Sequence, residues 1–165
     1  MSNVYTSNAL RFLTLLLIQG LILQNIALGQ VNMYIYPLFI LLLPIEMPHA
    51  LIVILGFFYG LLIDMFYDMD GLHAAATTLI AFARPAVCAI IEPRGGYEIG
   101  QTLTKHSLGI RWFINYSAIL MLIHLFIVIT LEELEFSLMW ILRLTAGFSL
   151  SMALIILYQF IFNPK

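Results

Sequence analysis

Apolar residues run in six segments through nearly the whole chain, and the charged residues sit in the gaps between them. Of 165 residues, 62% are hydrophobic and 10% charged, with a mean hydropathy of +1.01. A soluble domain is about 45–50% apolar and about 25% charged. Segments such as 114–131 show no polar stripe, which a soluble helix packed on a core would need. A membrane-spanning helix takes about 20 residues, so the length has room for short spans joined by tight loops. The pattern predicts an all-α polytopic membrane protein forming one integral membrane domain over residues 1–165. It excludes a sizeable soluble catalytic domain, and no Lys/Arg run points to nucleic acid.

The expected spans are about 9–28, 34–43, 50–63, 71–87, 112–130 and 138–162, with a polar loop over 88–111. The second and third are separated by Pro44-Ile45-Glu46-Met47-Pro48-His49. Prolines break helices, so this piece reads as the turn of a hairpin rather than as mid-membrane helix. Loop charges support six spans. Four of the seven basic residues, Arg84, Arg94, Lys105 and Arg111, fall in one stretch, and cytoplasmic loops collect Lys and Arg. With both termini cytoplasmic, that stretch lies inside together with Arg11 and Lys165. The acidic groups Asp64/Asp68/Asp70 and Glu132/Glu133/Glu135 then lie outside. Five spans would leave either the basic loop or Arg11 on the wrong side.

The first segment ends in Ala27-Leu28-Gly29, which loosely resembles a signal-peptidase site. Its apolar run is long for a signal peptide and holds Gln19, Gln24 and Asn25, so retention as a span is expected. Those amides share roughly one side of a helix and are expected to face other helices, because unpaired amides are costly in hydrocarbon.

Gly56-x3-Gly60-x3-Asp64 places two small residues and an acid on one helix face. Small residues at that spacing let helix backbones approach closely, and an ionisable group inside a span is a functional candidate. Asp64, Asp68 and Asp70-Gly71 do not fit a calcium loop: alignment on Asp70-Gly71 puts Phe66 first and Thr77 last, where carboxylates are required. Gly71 reads as the residue that lets the next helix begin. Arg143, near the start of the last span, is expected to snorkel or to pair with Asp64 or with Glu132, Glu133 or Glu135. Gly56, Gly60, Asp64, Gly71 and Arg143 are thus the candidate helix-packing or partner-binding residues. Arg94, Tyr97 and Glu98, beside the turn signal Pro93-Arg94-Gly95-Gly96, are candidates for contact at the cytoplasmic face. His49, His73, His106 and His124 share no metal-binding spacing, and His124 reads as a packed core histidine. A single cysteine, Cys88, excludes an internal disulfide. No catalytic set, metal site or cofactor motif is visible.

The stretch Gly56-Phe-Phe-Tyr-Gly60-Leu-Leu-Ile-Asp64, followed by Gly71-Leu-His-Ala-Ala-Ala, resembles the rod shape-determining MreD family. Arg84-Pro85, Pro93-Arg94-Gly95-Gly96-Tyr97-Glu98 and Gly109-x2-Trp112-Phe113-x2-Tyr116 are similar to its Bacteroidetes branch. The resemblance covers most of the chain. It implies a non-enzymatic scaffold of the peptidoglycan elongation machinery in the bacterial cytoplasmic (inner) membrane. The implied direct partner is the bitopic protein MreC, bound through its transmembrane helix. Through MreC it implies contact with MreB and the peptidoglycan polymerase–transpeptidase pair; membrane lipids and a homodimer are further expected associations. It also implies a helical arrangement similar to the S components of energy-coupling-factor transporters. The alternative function is therefore a small-molecule-binding S component, with Gln19, Gln24, Asn25, Asp64 and His124 lining a polar cavity. Against that, the first span lacks the alanine pair at four-residue spacing with which such components dock.

Overall fold

A computed structural model describes residues 2–26, 31–98 and 100–162, with side chains from residue 6 onward. The regular elements it describes are all helices: α1 (Ser2–Leu17), α2 (Leu38–Leu41), α3 (His49–Tyr67), α4 (Leu72–Ile90), α5 (Lys105–Leu108), α6 (Ile110–Glu133) and α7 (Leu138–Phe162). Among the described residues, five stretches are long and apolar enough to cross a membrane: Thr6–Asn25, His49–Tyr67, Leu72–Ile90, Ile110–Glu133 and Leu138–Phe162. At about 1.5 Å per residue, even the 19-residue helices reach about 28 Å, close to the thickness of a hydrocarbon core. The chain is a polytopic helical membrane protein.

Local chemistry sets the helix limits. α3 begins after Pro48, whose φ of −52° and ψ of 130° lie outside the helical region. It ends at Asp68, in the left-handed region at φ 53°. Gly71, at φ 87°, makes the return into α4, a conformation that glycine adopts without the Cβ penalty. α3, α4, α6 and α7 pack as successive antiparallel neighbours. The basic stretch is divided by this arrangement. α4 runs on to Ile90 and takes Arg84 and Cys88 into the bundle, so the loop that was expected from residue 88 begins after α4.

The expected second span takes another form. Over 34–43 only Leu38–Leu41 is helical; residues 32–35 have no regular structure, and Tyr36 and Pro37 form a turn. Pro37 is the N-cap of α2. All of residues 33–43 are buried. Tyr34 lies beside Tyr67 and His73 at one end of the bundle, Phe39 beside Tyr59 and Phe12 in the middle, and Leu43 beside Arg84 at the other. This segment therefore threads the core antiparallel to α3. Irregular backbone at membrane depth needs protein groups to satisfy it, and they are present. Gln19 Nε2 donates to Met33 O at 3.0 Å and Gln19 Oε1 accepts from Ile35 N at 2.9 Å. Tyr34 N donates to Ser151 Oγ at 2.9 Å, and Tyr116 donates to Leu41 O at 3.0 Å.

The three amides of the first span do not share one environment. After Leu17 the helix widens to a π turn over Ile18–Ile22 and tightens to a 3₁₀ turn over Leu23–Asn25, which breaks the α-helical face they were expected to share. Gln19 is buried against the threaded segment, Gln24 reaches the carbonyl of Phe66, and exposed Asn25 bonds back to Leu21 O of its own helix. Residues 27–29, with the signal-peptidase resemblance, lie outside the described residues, as does Lys165.

Candidate functional site

The Gly56–Gly60–Asp64 face of α3 is turned inward onto α4. A Cβ at Gly60 would lie 2.6 Å from His73 O, and closer still to Ala74 Cα and Thr77 Oγ1. At Gly56 the nearest atoms would be Thr77 O and Ala81 Cβ, both at 3.0 Å. The glycines thus bring the two backbones into contact, the packing role expected of them, and the partner on this face is α4 of the same chain. One turn further, Asp64 takes up the free N–H groups at the start of α4. Oδ1 accepts from His73 N at 2.8 Å and Oδ2 from Ala74 N at 2.9 Å. Helix starts leave such donors unpaired and carry partial positive charge, and Gly71, the N-cap, has no side chain to serve them. Asp64 also lies 2.9 Å from His73 Nδ1. With the carboxylate charged, Nδ1 must carry the proton. A buried carboxylate, 3% exposed, is therefore stabilised by two backbone donors and an imidazole.

This pairing selects among the alternatives expected for Arg143. Asp64 does not bind Arg143. Arg143 instead forks to Glu133 at 2.7 Å and Glu132 at 2.6 Å, joining the start of α7 to the end of α6. Both acids belonged to the expected alternatives for Arg143.

Around His73 the core holds a cluster of polar rings. The His73 ring centroid is 4.8 Å from Tyr67, 5.7 Å from Tyr34 and 5.8 Å from Tyr36. His124 lies 5.7 Å from Tyr34 and 5.3 Å from Tyr36, and its Nε2 is 2.6 Å from the Tyr36 hydroxyl. Tyr67 accepts from Gln19 Nε2 at 2.6 Å. The far nitrogens, His73 Nε2 and His124 Nδ1, are buried without a hydrogen-bond partner among the described residues. Among the described residues, no three His, Cys, Asp or Glu side chains form a group able to hold a metal ion.

At the opposite end Arg84, counted in sequence with the cytoplasmic loop, is 2% exposed inside α4. Its Nε donates to the Tyr116 hydroxyl at 2.9 Å, and an Nη donates to Leu43 O. The loop packs beside it. Tyr97 donates to Cys88 O at 2.7 Å, and Trp112 Nε1 donates to Ile91 O at 2.8 Å while its ring stacks on Tyr116. Partial burial pushes the Tyr97 phenol up to about 12. Gly96 N donates to Pro93 O at 3.0 Å, closing the turn read from Pro93-Arg94-Gly95-Gly96. Arg94 and Glu98 are exposed, so of the three loop candidates only Tyr97 is drawn into the fold.

Sequence reasoning missed the central roles of Tyr34, Tyr36, His73, Arg84, Tyr116 and Ser151. One signal was available: Pro37 within a ten-residue apolar run shorter than a span argues for irregular backbone, which then needs donors and acceptors from neighbouring helices. Compared with known protein families, with curated proteins and with solved structures, the chain matches none.

Proposed function

We propose that the chain is a non-enzymatic scaffold of the bacterial cell-shape and peptidoglycan elongation machinery, of the MreD kind, and that it binds the single transmembrane helix of MreC. In this reading residues 31–43 make the second of six crossings. Both termini and the 91–109 loop face the cytoplasm, and the Asp64 and Glu132 ends face outward across the inner membrane.

The observation that carries the reading is where the resemblance-bearing residues lie. Gly56, Gly60, Asp64 and Gly71 build the α3–α4 hairpin, Arg84 meets Tyr116, and Tyr97 meets Trp112. The motifs that resemble the family are therefore the joints of this fold. Most of the polar groups inside the bundle are engaged with the chain itself. The outward faces are apolar, including Leu138, Ile141, Leu142, Leu157 and Ile161 on α7. α7 packs mainly along α6, which leaves a long apolar face for a partner helix. Because Gly56 and Gly60 are covered by α4, that helix docks on outward faces such as those of α7 or α1.

One observation favours the S-component alternative: two imidazole nitrogens in the core, on His73 and His124, have no partner among the described residues. Weighing against it, Gln19, Gln24, Asn25 and Asp64 each hydrogen-bond the chain's own backbone. The test is gentle detergent extraction of the tagged protein, followed by mass spectrometry of what accompanies it. MreC and wall-synthesis proteins are the expected companions. Transporter ATPases, or a tightly bound small molecule, would replace the scaffold reading by the alternative.

A further inference from the structure

We propose that Arg84 is the anchor of an anion site that takes a phosphate group at the end of the bundle carrying the 91–109 loop. Arg84 lies six residues before the end of α4, about 9 Å inside the helix end. Among the described residues its hydrogen-bond partners are uncharged: the Tyr116 hydroxyl and the carbonyl of Leu43. A guanidinium carries five N–H donors, and these two contacts engage two of them. Among the described residues the acids in ion pairs are Asp64, Glu132 and Glu133, at the opposite end, and none of them reaches Arg84. A buried cation without a counter-charge is costly at membrane depth and marks a binding function.

The space beside it fits that role. A recess of about 200 Å³ is bounded by Arg84, His49 and Cys88, with Ile45, Met47 and Ile52 as an aliphatic wall; one water needs about 10–15 Å³ of such volume. No acid lines it. The acid nearest in sequence, Glu46, accepts instead from Gly100 N across the loop. Exposed His49 opens α3 at the rim, and the first turn of α3 has no acidic residue, so the partial positive charge of that helix end adds to the guanidinium. Cation, helix start and aliphatic wall together suit a phosphate carried on an apolar body. The guanidinium fork matches phosphate geometry. Trp112, hydrogen-bonded to Ile91 O just past α4, is the type of aromatic side chain enriched at headgroup boundaries. The phosphate of an anionic lipid and that of a free solute share this chemistry.

The experiment uses the full chain purified in a neutral detergent. Its thermal unfolding is followed with added short-chain phosphatidic acid, phosphatidylcholine or inorganic phosphate. In parallel, the rate at which a small thiol reagent modifies Cys88, the chain's one cysteine, reads occupancy of the recess in the unmutated protein. Phosphatidic acid is expected to raise the midpoint by several degrees over phosphatidylcholine and to slow Cys88 modification several-fold. Inorganic phosphate acting equally well identifies a soluble ligand, and acting weakly identifies the lipid. Arg84→Gln is expected to abolish the difference between the two lipids, and His49→Ala to reduce it. Should Arg84→Gln fail to fold, the Cys88 rates and His49→Ala decide. Identical midpoints and identical Cys88 rates with all three additives would overturn the proposal, as would an unchanged lipid difference in a folded Arg84→Gln protein.

Discussion

Replacing Gly60 by alanine tests the account of the α3–α4 contact at its tightest point. The new Cβ would lie 2.6 Å from His73 O, whereas ordinary contact begins near 3.4 Å. The two helices must therefore part by at least about 0.8 Å there, since Ala74 Cα stands closer still. Asp64 is one turn away on the same helix, and its bonds to His73 N and Ala74 N are 2.8 and 2.9 Å. A parallel displacement would carry both beyond the usual range of about 2.7–3.2 Å. Overpacking costs about 1–3 kcal/mol, and each hydrogen bond to a charged group contributes about 1.5–3 kcal/mol. Alanine's better helix propensity returns about 1 kcal/mol. Partial relaxation leaves a net loss of roughly 2–4 kcal/mol. Gly56→Ala is the internal control. Its Cβ meets Thr77 O and Ala81 Cβ at 3.0 Å, a few tenths of an ångström of adjustment, which propensity nearly offsets, for a net within about 1 kcal/mol. Equilibrium unfolding in mixed micelles, followed by circular dichroism, reads both. A Gly60→Ala protein as stable as Gly56→Ala would refute the close-contact argument. Gly60→Leu, with far more bulk at the same point, is expected to prevent folding.

The other consequences concern polar joints. Asp64→Asn keeps one acceptor but turns an NH₂ towards an N–H donor of α4, so a loss of about 1–3 kcal/mol is expected. Asp64→Lys should be worse, and a double-mutant cycle of Asp64 with Arg143 should show no coupling beyond about 0.5 kcal/mol; larger coupling would mean that the two residues meet. Gln19→Leu strands Met33 O and Ile35 N in the core, at about 1–3 kcal/mol for each group; a near-neutral result in the same unfolding assay would show that the threaded segment is not held this way. Tyr97 has its phenol raised to about 12, above its ordinary value near 10. The protonated form is favoured by folding, so this contribution is whole below pH 10 and is lost as pH climbs from about 10 towards 12. Tyr97→Phe should flatten that alkaline decline relative to the parent protein, and identical alkaline profiles would remove Tyr97 as its source.

Much of the helical framework was legible because hydrophobic runs and their breakers are local. Pro48 and Gly71 mark real helix starts, and α7 follows the expected 138–162 run to the residue. Gly56-x3-Gly60-x3-Asp64 was legible as a packing face because its spacing puts it on one side of a helix. Its partner was not, since nothing in that spacing distinguishes α4 from another protein's helix. Arg84, inside the expected 71–87 span, was counted with the cytoplasmic loop charges because positive-inside reasoning counts charge without depth, whereas α4 carries its guanidinium to Tyr116 and Leu43. The threaded 31–43 segment escaped the reading because its stability comes from distant side chains. Gln19, Tyr116 and Ser151 stand 16, 75 and 117 residues from the backbone groups they satisfy.

The scaffold proposal is tested most directly by co-expressing the chain with the proposed partner MreC and placing photo-crosslinking residues one at a time at Leu142 on α7, Leu13 on α1 and Ala81 inside the α3–α4 contact. The account predicts a stable complex in detergent and crosslinks to the MreC transmembrane helix from an outward position, with none from Ala81. A chain that purifies without MreC, and crosslinks from no outward position, would contradict it.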